Sequence, residues 1–177
     1  ILMGYANPLE RQGYAVVADA CADAGIDGLI TVDLPPEEVD AMNTELQRHH
    51  IDNIFLISPT TSDVRVATIT AQASGFIYYV ALKGVTGAGH LDTEAVERHL
   101  QTIRQHTDLP IAVGFGIKDA DTAATVSRCA DAVVVGSALV DLVAGDFARH
   151  QSDATAISSA HTLISNIRTG VNLATSN

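Results

Sequence analysis

Cationic side chains are scarce in this chain: 10 Lys and Arg stand against 21 Asp and Glu, for a formal net charge of -11 and a pI near 4.8. That balance disfavours nucleic acid and anionic membrane as partners, since both call for basic patches. It also means that any bound phosphate must be held mostly by backbone amides and a helix N-terminus. Cysteine occurs twice, at Cys21 and Cys129, with no Cys-x-x-Cys pair and no metal-ligand spacing among the histidines. No metal site is expected, and both thiols read as inert groups of core-facing helices in a reducing cytoplasm. No apolar run reaches the roughly 18–20 residues that a membrane span needs; the richest, Ala130 to Gly145, is cut by Asp131 and Asp141. The start, Ile1-Leu2-Met3-Gly4, has neither the basic opening nor the cleavage site of a secretory signal, and no methionine at position 1. A cytoplasmic protein is expected, with a chain that opens inside an apolar strand. Pro/Ser linkers and low-complexity segments are also missing, so residues 1–177 read as one domain. The 47% hydrophobic content against 18% charged argues for a compact globule.

What is present is a repeat of apolar, β-branched runs: Ile1–Tyr5, Gly28–Val32, Ile54–Ile57, Phe76–Val80, Ile111–Phe115 and Ala132–Val135. Their starts lie 27, 26, 22, 35 and 21 residues apart, close to the length of a βα unit. Helical spacing fills the gaps, with one-face sets Tyr14/Val17/Cys21/Ala24, Val39/Met42/Leu46, Val96/Leu100/Ile103 and Ile157/Ala160/Ile164/Ile167/Val171. Pro35-Pro36 before Glu37-Glu38 marks a helix start, because proline fits the first turn and carboxylates suit the positive end of the dipole. Strands apolar on both faces, alternating with amphipathic helices, imply a parallel sheet covered by helices.

Either an open doubly wound sheet or a (β/α)₈ barrel satisfies this pattern. A dinucleotide-binding sheet would carry Gly-x-Gly-x-x-Gly after its first strand, where only Ala6-Asn7-Pro8 is found. Phosphate-binding barrels place glycines after their seventh and eighth strands, and the last two runs end at Gly116 and at Gly136-Ser137. The barrel is favoured, although six units are not eight.

In order, Leu2-Met3-Gly4-Tyr5-Ala6-Asn7-Pro8, the stretch Asp27 to Glu38, Gly75 to Val80, Gly84-Val85-Thr86-Gly87, Val113 to Ile117 and Val135-Gly136-Ser137-Ala138 resemble the tryptophan synthase alpha subunit along essentially the whole chain. The resemblance implies a (β/α)₈ TIM barrel of which this chain supplies about six βα units, strands three to eight, with the first two units missing. It implies a lyase of tryptophan biosynthesis, one that cleaves indole-3-glycerol phosphate to indole and glyceraldehyde 3-phosphate by a retro-aldol step. That step needs positioned carboxylates to move protons. The family's glutamate and aspartate lie on the second strand and the loop after it, so no catalytic residue is assigned here and the chain alone is expected to be inactive.

By the same resemblance, Tyr5, Tyr78, Thr86, Gly87, Phe115, Gly116, Gly136 and Ser137 contact substrate. Gly116, Gly136 and Ser137 take the phosphate, Thr86 and Gly87 belong to a lid loop, and Tyr78 lines the pocket. Each has a plainer reading: core packing for Tyr5, Tyr78 and Phe115, a generic turn for Thr86-Gly87, and an N-cap for Ser137. Asn7-Pro8, which resembles the family's beta-contacting loop, and Asp33 correspond to the interface with a beta subunit in an alpha2-beta2 tetramer. Asp33 reads otherwise as a capping carboxylate. The family needs no cofactor in this chain, pyridoxal phosphate belonging to the beta subunit. Two other functions remain open: a different phosphate-binding barrel, an isomerase or epimerase with Asp33 as its base, or a non-catalytic fragment that binds a partner. His49-His50 end a helix and His90 lies in the lid loop, all read as surface or capping residues.

Overall fold

The computed structural model describes residues 1–81, 93–114, 116–149 and 152–175. They group into two compact units, Ile1–Tyr79 with Gln101–Pro110, and Val80–Leu100 with Ile111–Asn177.

In the first unit the strands β1 (Leu2–Gly4), β2 (Gly28–Thr31), β3 (Asp52–Ile57) and β4 (Ile77–Val80) pair in chain order, all parallel. Met3 stands opposite Ile30, Ile30 opposite Ile54, and Phe55 opposite Ile77. The connections are helical: α1 (Ala6–Gln12), α2 (Tyr14–Asp23), α3 (Asp40–Arg48) and α4 (Asp63–Gln72). As the doublet Pro35-Pro36 suggests, a 3₁₀ turn at Pro36–Glu38 precedes α3.

Side chains alternate along a strand, and parallel partners in register share a face. Thr31, Asn53, Phe55, Ile57, Ile77 and Tyr79 therefore share one face, the helix-covered one, because the Thr31 hydroxyl reaches Met42 Sδ (3.8 Å) and Asn53 reaches Asn43, both residues being on α3. Val39, Met42 and Leu46, the apolar set expected for that helix, are buried. Full burial of side chains of this size contributes roughly 1.5–3 kcal/mol each. Met3, Ile30, Val32, Ile54, Leu56 and Tyr78 fall on the opposite face. There Met3 is 56% and Val32 40% exposed, and Leu56 and Tyr78 are half-buried.

The helix-covered face contains a polar network that apolar patterning does not announce. Asn53 Nδ2 donates to Asn43 Oδ1 (2.6 Å), and Asn43 Nδ2 donates to Gln72 at the end of α4, to its backbone oxygen (3.3 Å) and to Oε1 (3.1 Å). Asn53 N donates to Ser74 Oγ, and Ser74 N returns a bond to Asn53 O, both at 2.9 Å. Buried amides are tolerated only when satisfied in this way. The network fastens α3 and the exit of α4 to the amino end of β3.

The helix α5 (Thr93–Arg104) is divided between the units and buries Val96, Leu100 and Ile103, the face expected from their spacing. In the second unit β5 (Ile111–Gly114) pairs in parallel with β6 (Ala132–Val134), accompanied by α6 (Ala120–Val126), α7 (Ser137–Ala148) and α8 (Asp153–Thr175). Arg149, just beyond α7, holds the buried Asp146 of that helix (Nη2 to Oδ1, 2.6 Å).

Three expectations are corrected. The inward stripe of α8 is not Ile157/Ala160/Ile164/Ile167/Val171: Ile157 is 69% and Ile164 43% exposed, whereas Ala156, Ile167 and Gly170 are buried. Close helix packing selects small residues there, so side-chain size misleads. Cys129 is not on a helix but in the turn after α6, its thiol directed at Val126 O (3.3 Å); Cys21 is buried in α2 as expected. Asn7 and Pro8 lie in the first turn of α1 rather than in a loop.

The asparagine network yields a stability test. Asn43→Ala orphans the buried Asn53 Nδ2 and should cost about 1–3 kcal/mol, read as a lowered urea midpoint. Replacing Asn43 and Asn53 together by apolar residues of similar volume should cost less than Asn43→Ala alone.

Candidate functional site

The glycine turns of the second unit are placed by the pairing of β5 with β6. Ile111 N donates to Asp131 Oδ2 (2.8 Å) and Asp131 N donates to Ile111 O (3.0 Å), which clamps the two strands at their amino ends. From there the register runs Ala112 opposite Ala132, Val113 opposite Val133 and Gly114 opposite Val134. Gly116 and Gly136 are each two residues beyond that last pair, so both leave the carboxyl ends of neighbouring strands at the same level. In parallel α/β sheets that end is where ligands bind.

Both glycines face open space. A Cβ built on either would meet no atom of the described residues within 4 Å. Gly116 has φ of +46°, in the left-handed region where a side chain costs roughly 1–2 kcal/mol. Gly136, with φ of −124°, has no such demand; what distinguishes it is the empty volume before it. It is also the N-cap of α7, and its carbonyl accepts from Leu139 N (2.9 Å) and Val140 N (3.1 Å). Among the described residues no side chain caps this helix. The first amides of a helix have no intrahelical acceptor and sit at the positive end of its dipole, an arrangement suited to an anion. Ser137 is the first residue of α7, which excludes the N-cap role considered for it.

The loop from Gly116 into α6 is tied down by groups that the sequence-derived set omits. Thr122 N donates to Asp119 Oδ1 (2.9 Å), while Lys118 N and Asp119 N both donate to Thr122 Oγ1 (3.2 Å each). An Asp three residues ahead of a Thr is a helix-start signature that could have revealed the pair. The bond from the Thr122 amide, then that from its hydroxyl, holds the Asp119 carboxyl below its ordinary value.

In the first unit two assigned tyrosines share a sheet face, and a second set of assigned residues lies together. Tyr5, directly after β1 and 63% exposed, continues the face that carries Tyr78, whose hydroxyl is pushed up by burial. Next to it on β4, Tyr79 is buried on the helix-covered face with its hydroxyl pushed up to about 12 by burial. Asp33 Oδ1 accepts the amide of Ala6 (2.7 Å), the first residue of α1. That bond sets Asp33 beside Asn7 and Pro8, all three exposed. A recess of about 240 Å³ opens alongside, lined by Asp33, Pro35, Leu56 and Arg65 among others, with Arg65 paired to Glu37. Thr86, Gly87, His90 and Phe115 lie outside the described residues. His49 terminates α3 as expected, its Nε2 lying 2.8 Å from Asp19 Oδ1. Among the described residues no group of three or more His, Cys, Asp or Glu is placed to hold a metal, and no helix is long and apolar enough to cross a membrane.

Comparison with known proteins adds an independent line. Residues 1–169 match the family described as tryptophan synthase alpha chain. The chain is 58% identical over 153 residues to the tryptophan synthase alpha chain of Thioalkalivibrio sulfidiphilus, covering 86% of this chain and 56% of that protein. To its counterpart in Marinobacter nauticus it is 49% identical over 162 residues, covering 92% and 58%. The chain thus spans a little over half the length of these relatives. In structure it is similar to the tryptophan synthase alpha subunit of Legionella pneumophila str. Paris, with a TM-score of 0.84 and 36% identity over 97% of this chain and 62% of that one. The fold class is accordingly that of the (β/α)₈ barrel, to which these residues contribute the six strands counted in the sequence.

The Asp119 cap gives the next test. A carboxylate whose value is lowered by folding stabilises above its unfolded value, roughly 4, and that contribution is lost as pH falls through the lowered folded value. Asp119→Ala should cost about 1 kcal/mol at pH 7, and the gap between mutant and parent melting temperatures should close as pH falls below about 4.

Proposed function

The chain belongs to the tryptophan synthase alpha chain family, and from that membership we propose that it supplies the phosphate-holding part of a cytoplasmic lyase that splits indole-3-glycerol phosphate into indole and glyceraldehyde 3-phosphate. The observation that carries the proposal is the pair Gly116 and Gly136, level with each other beyond registered strands and both facing open space, with the uncapped start of α7 at Ser137. Main-chain amides there replace the cationic side chains in which the sequence is poor. Holding the phosphate fixes one end of the substrate, and orientation of this kind is a major source of rate.

The aromatic end of the substrate falls, by family correspondence, to Tyr5, Tyr78 and Phe115, with Thr86 and Gly87 in the covering loop. Tyrosine suits that task because a flat apolar ring stacks on indole while its hydroxyl stays available for hydrogen bonding. The carboxylates that move protons have no counterpart in residues 1–177, so these residues alone bind without turning over. Asn7, Pro8 and Asp33 contact a beta subunit, which carries pyridoxal phosphate, in an alpha2-beta2 tetramer. Their joint exposure at the start of α1 supports that assignment. The alternative of an isomerase with Asp33 as base is weakened because Asp33 Oδ1 is already engaged by the Ala6 amide at the start of α1.

Calorimetric titration with glycerol 3-phosphate tests the reading. Gly136→Val should keep the melting temperature within a few degrees while lowering affinity at least about tenfold, equivalent to about 1.4 kcal/mol. Unchanged affinity would remove the phosphate assignment. Turnover of a sugar phosphate by the 177 residues, abolished by Asp33→Asn, would establish the isomerase instead.

A further inference from the structure

At Gly170 the helix α8 packs directly against backbone of α6. A Cβ there would stand 2.1 Å from Ala120 O, 2.8 Å from Ala120 C and 2.9 Å from Ala120 Cα. The obstruction is backbone, so no side-chain rotation relieves it. Any larger residue must push α8 and the start of α6 apart by about an ångström, given that ordinary carbon contacts begin near 3.5 Å.

Ala120 is the first residue of α6, and it follows Asp119 directly. Asp119 is locked to Thr122, and Thr122 Oγ1 also receives the amide of Lys118 (3.2 Å). The turn from Lys118 through Thr122 therefore moves as one piece, and Gly116 is two residues upstream of it. The carbonyl of Ala120 is the point at which α8 meets that piece.

Building on the phosphate assignment above, we propose that Gly170 is a positioning residue for the anion site: by admitting the Ala120 carbonyl against α8, it sets the height of the Gly116 amide relative to Gly136. No contact between Gly170 and the ligand is involved. Displacements of this size are costly for a site built from fixed amides, because a donor moved by 1 Å loses most of a hydrogen bond whose useful range is 2.7–3.2 Å, and loss of geometry at that scale can cost about a hundredfold in rate.

The test uses the full-length alpha chain with glycerol 3-phosphate as the titrant, and compares affinity with melting temperature across four variants. Gly170→Ala should weaken glycerol 3-phosphate at least about tenfold. Ile167→Ala, also buried on α8 one turn earlier, removes volume without adding any and should lower the melting temperature while keeping affinity within about twofold. Thr122→Val, which removes the hydroxyl that ties Lys118 and Asp119 together while leaving Gly170 intact, should weaken the ligand as Gly170→Ala does, and it decides the matter if Gly170→Ala fails to fold. Full affinity in Thr122→Val, or in a folded Gly170→Ala, overturns the proposal, as does an affinity loss in Ile167→Ala that matches its loss of stability. Gly136→Val separates this from the underlying reading: if it too binds normally, the phosphate assignment has failed, whereas if it alone loses binding, only the role of Gly170 has.

Discussion

The reciprocal pair of bonds between Ile111 and Asp131 fixes how β5 and β6 lie against each other, and the candidate site depends on that register. A slip of one residue would turn every side chain of β6 to the other face and move Gly136 off the level of Gly116. An aspartate at this position does more than begin a strand. Its backbone and its carboxylate each take one of the two groups that Ile111 offers, so the pair is aligned before the first regular ladder bond. The glycines twenty residues apart then follow from strand geometry.

A site of this kind suits a chain with an acidic balance. Side-chain cations would have to be drawn from a set of 10 and shielded from 21 carboxylates, while main-chain amides are supplied by any strand that turns into a helix. The requirement shifts from charge to shape. Glycine admits the ligand to the backbone, and the helix start supplies partial positive charge without a competing side-chain cap. The surroundings of the two glycines then matter more than their identity, which is why the capping of α6 and the packing of α8 enter the account of the site.

Much of the fold was legible in the sequence, and the parts that were not share a physical cause. All six strands fall where apolar, β-branched runs predict, with ends shifted by at most two residues. Strands that are apolar on both faces make such runs continuous and easy to see. Helices whose inward faces use large residues, such as Val96/Leu100/Ile103, were equally plain. The face of α8 was not, because Ala156 and Gly170 gain their place through close approach, and a reading weighted to side-chain size assigns the face to Ile157 and Ile164 instead. Long-range polar pairing was invisible too. Nothing in the spacing of Asn43 and Asn53, or of Asp33 and Ala6, shows that they meet. For the site, the glycines were legible through their place after strands, while the Asp119–Thr122 support is a local motif that does not stand out among polar loop residues.

The polar network around Asn53 lies at the amino end of β3, away from the carboxyl ends of β1 and β2, beyond which Tyr5 and Asp33 stand. Within this unit the residues that fasten helices to sheet and those offered to other molecules occupy opposite rims. The bonds that hold the helices therefore draw on none of the residues that the opposite rim presents. A lineage adapting to a hotter or colder habitat can rework Asn43, Gln72 and Ser74 without renegotiating what the opposite rim recognises.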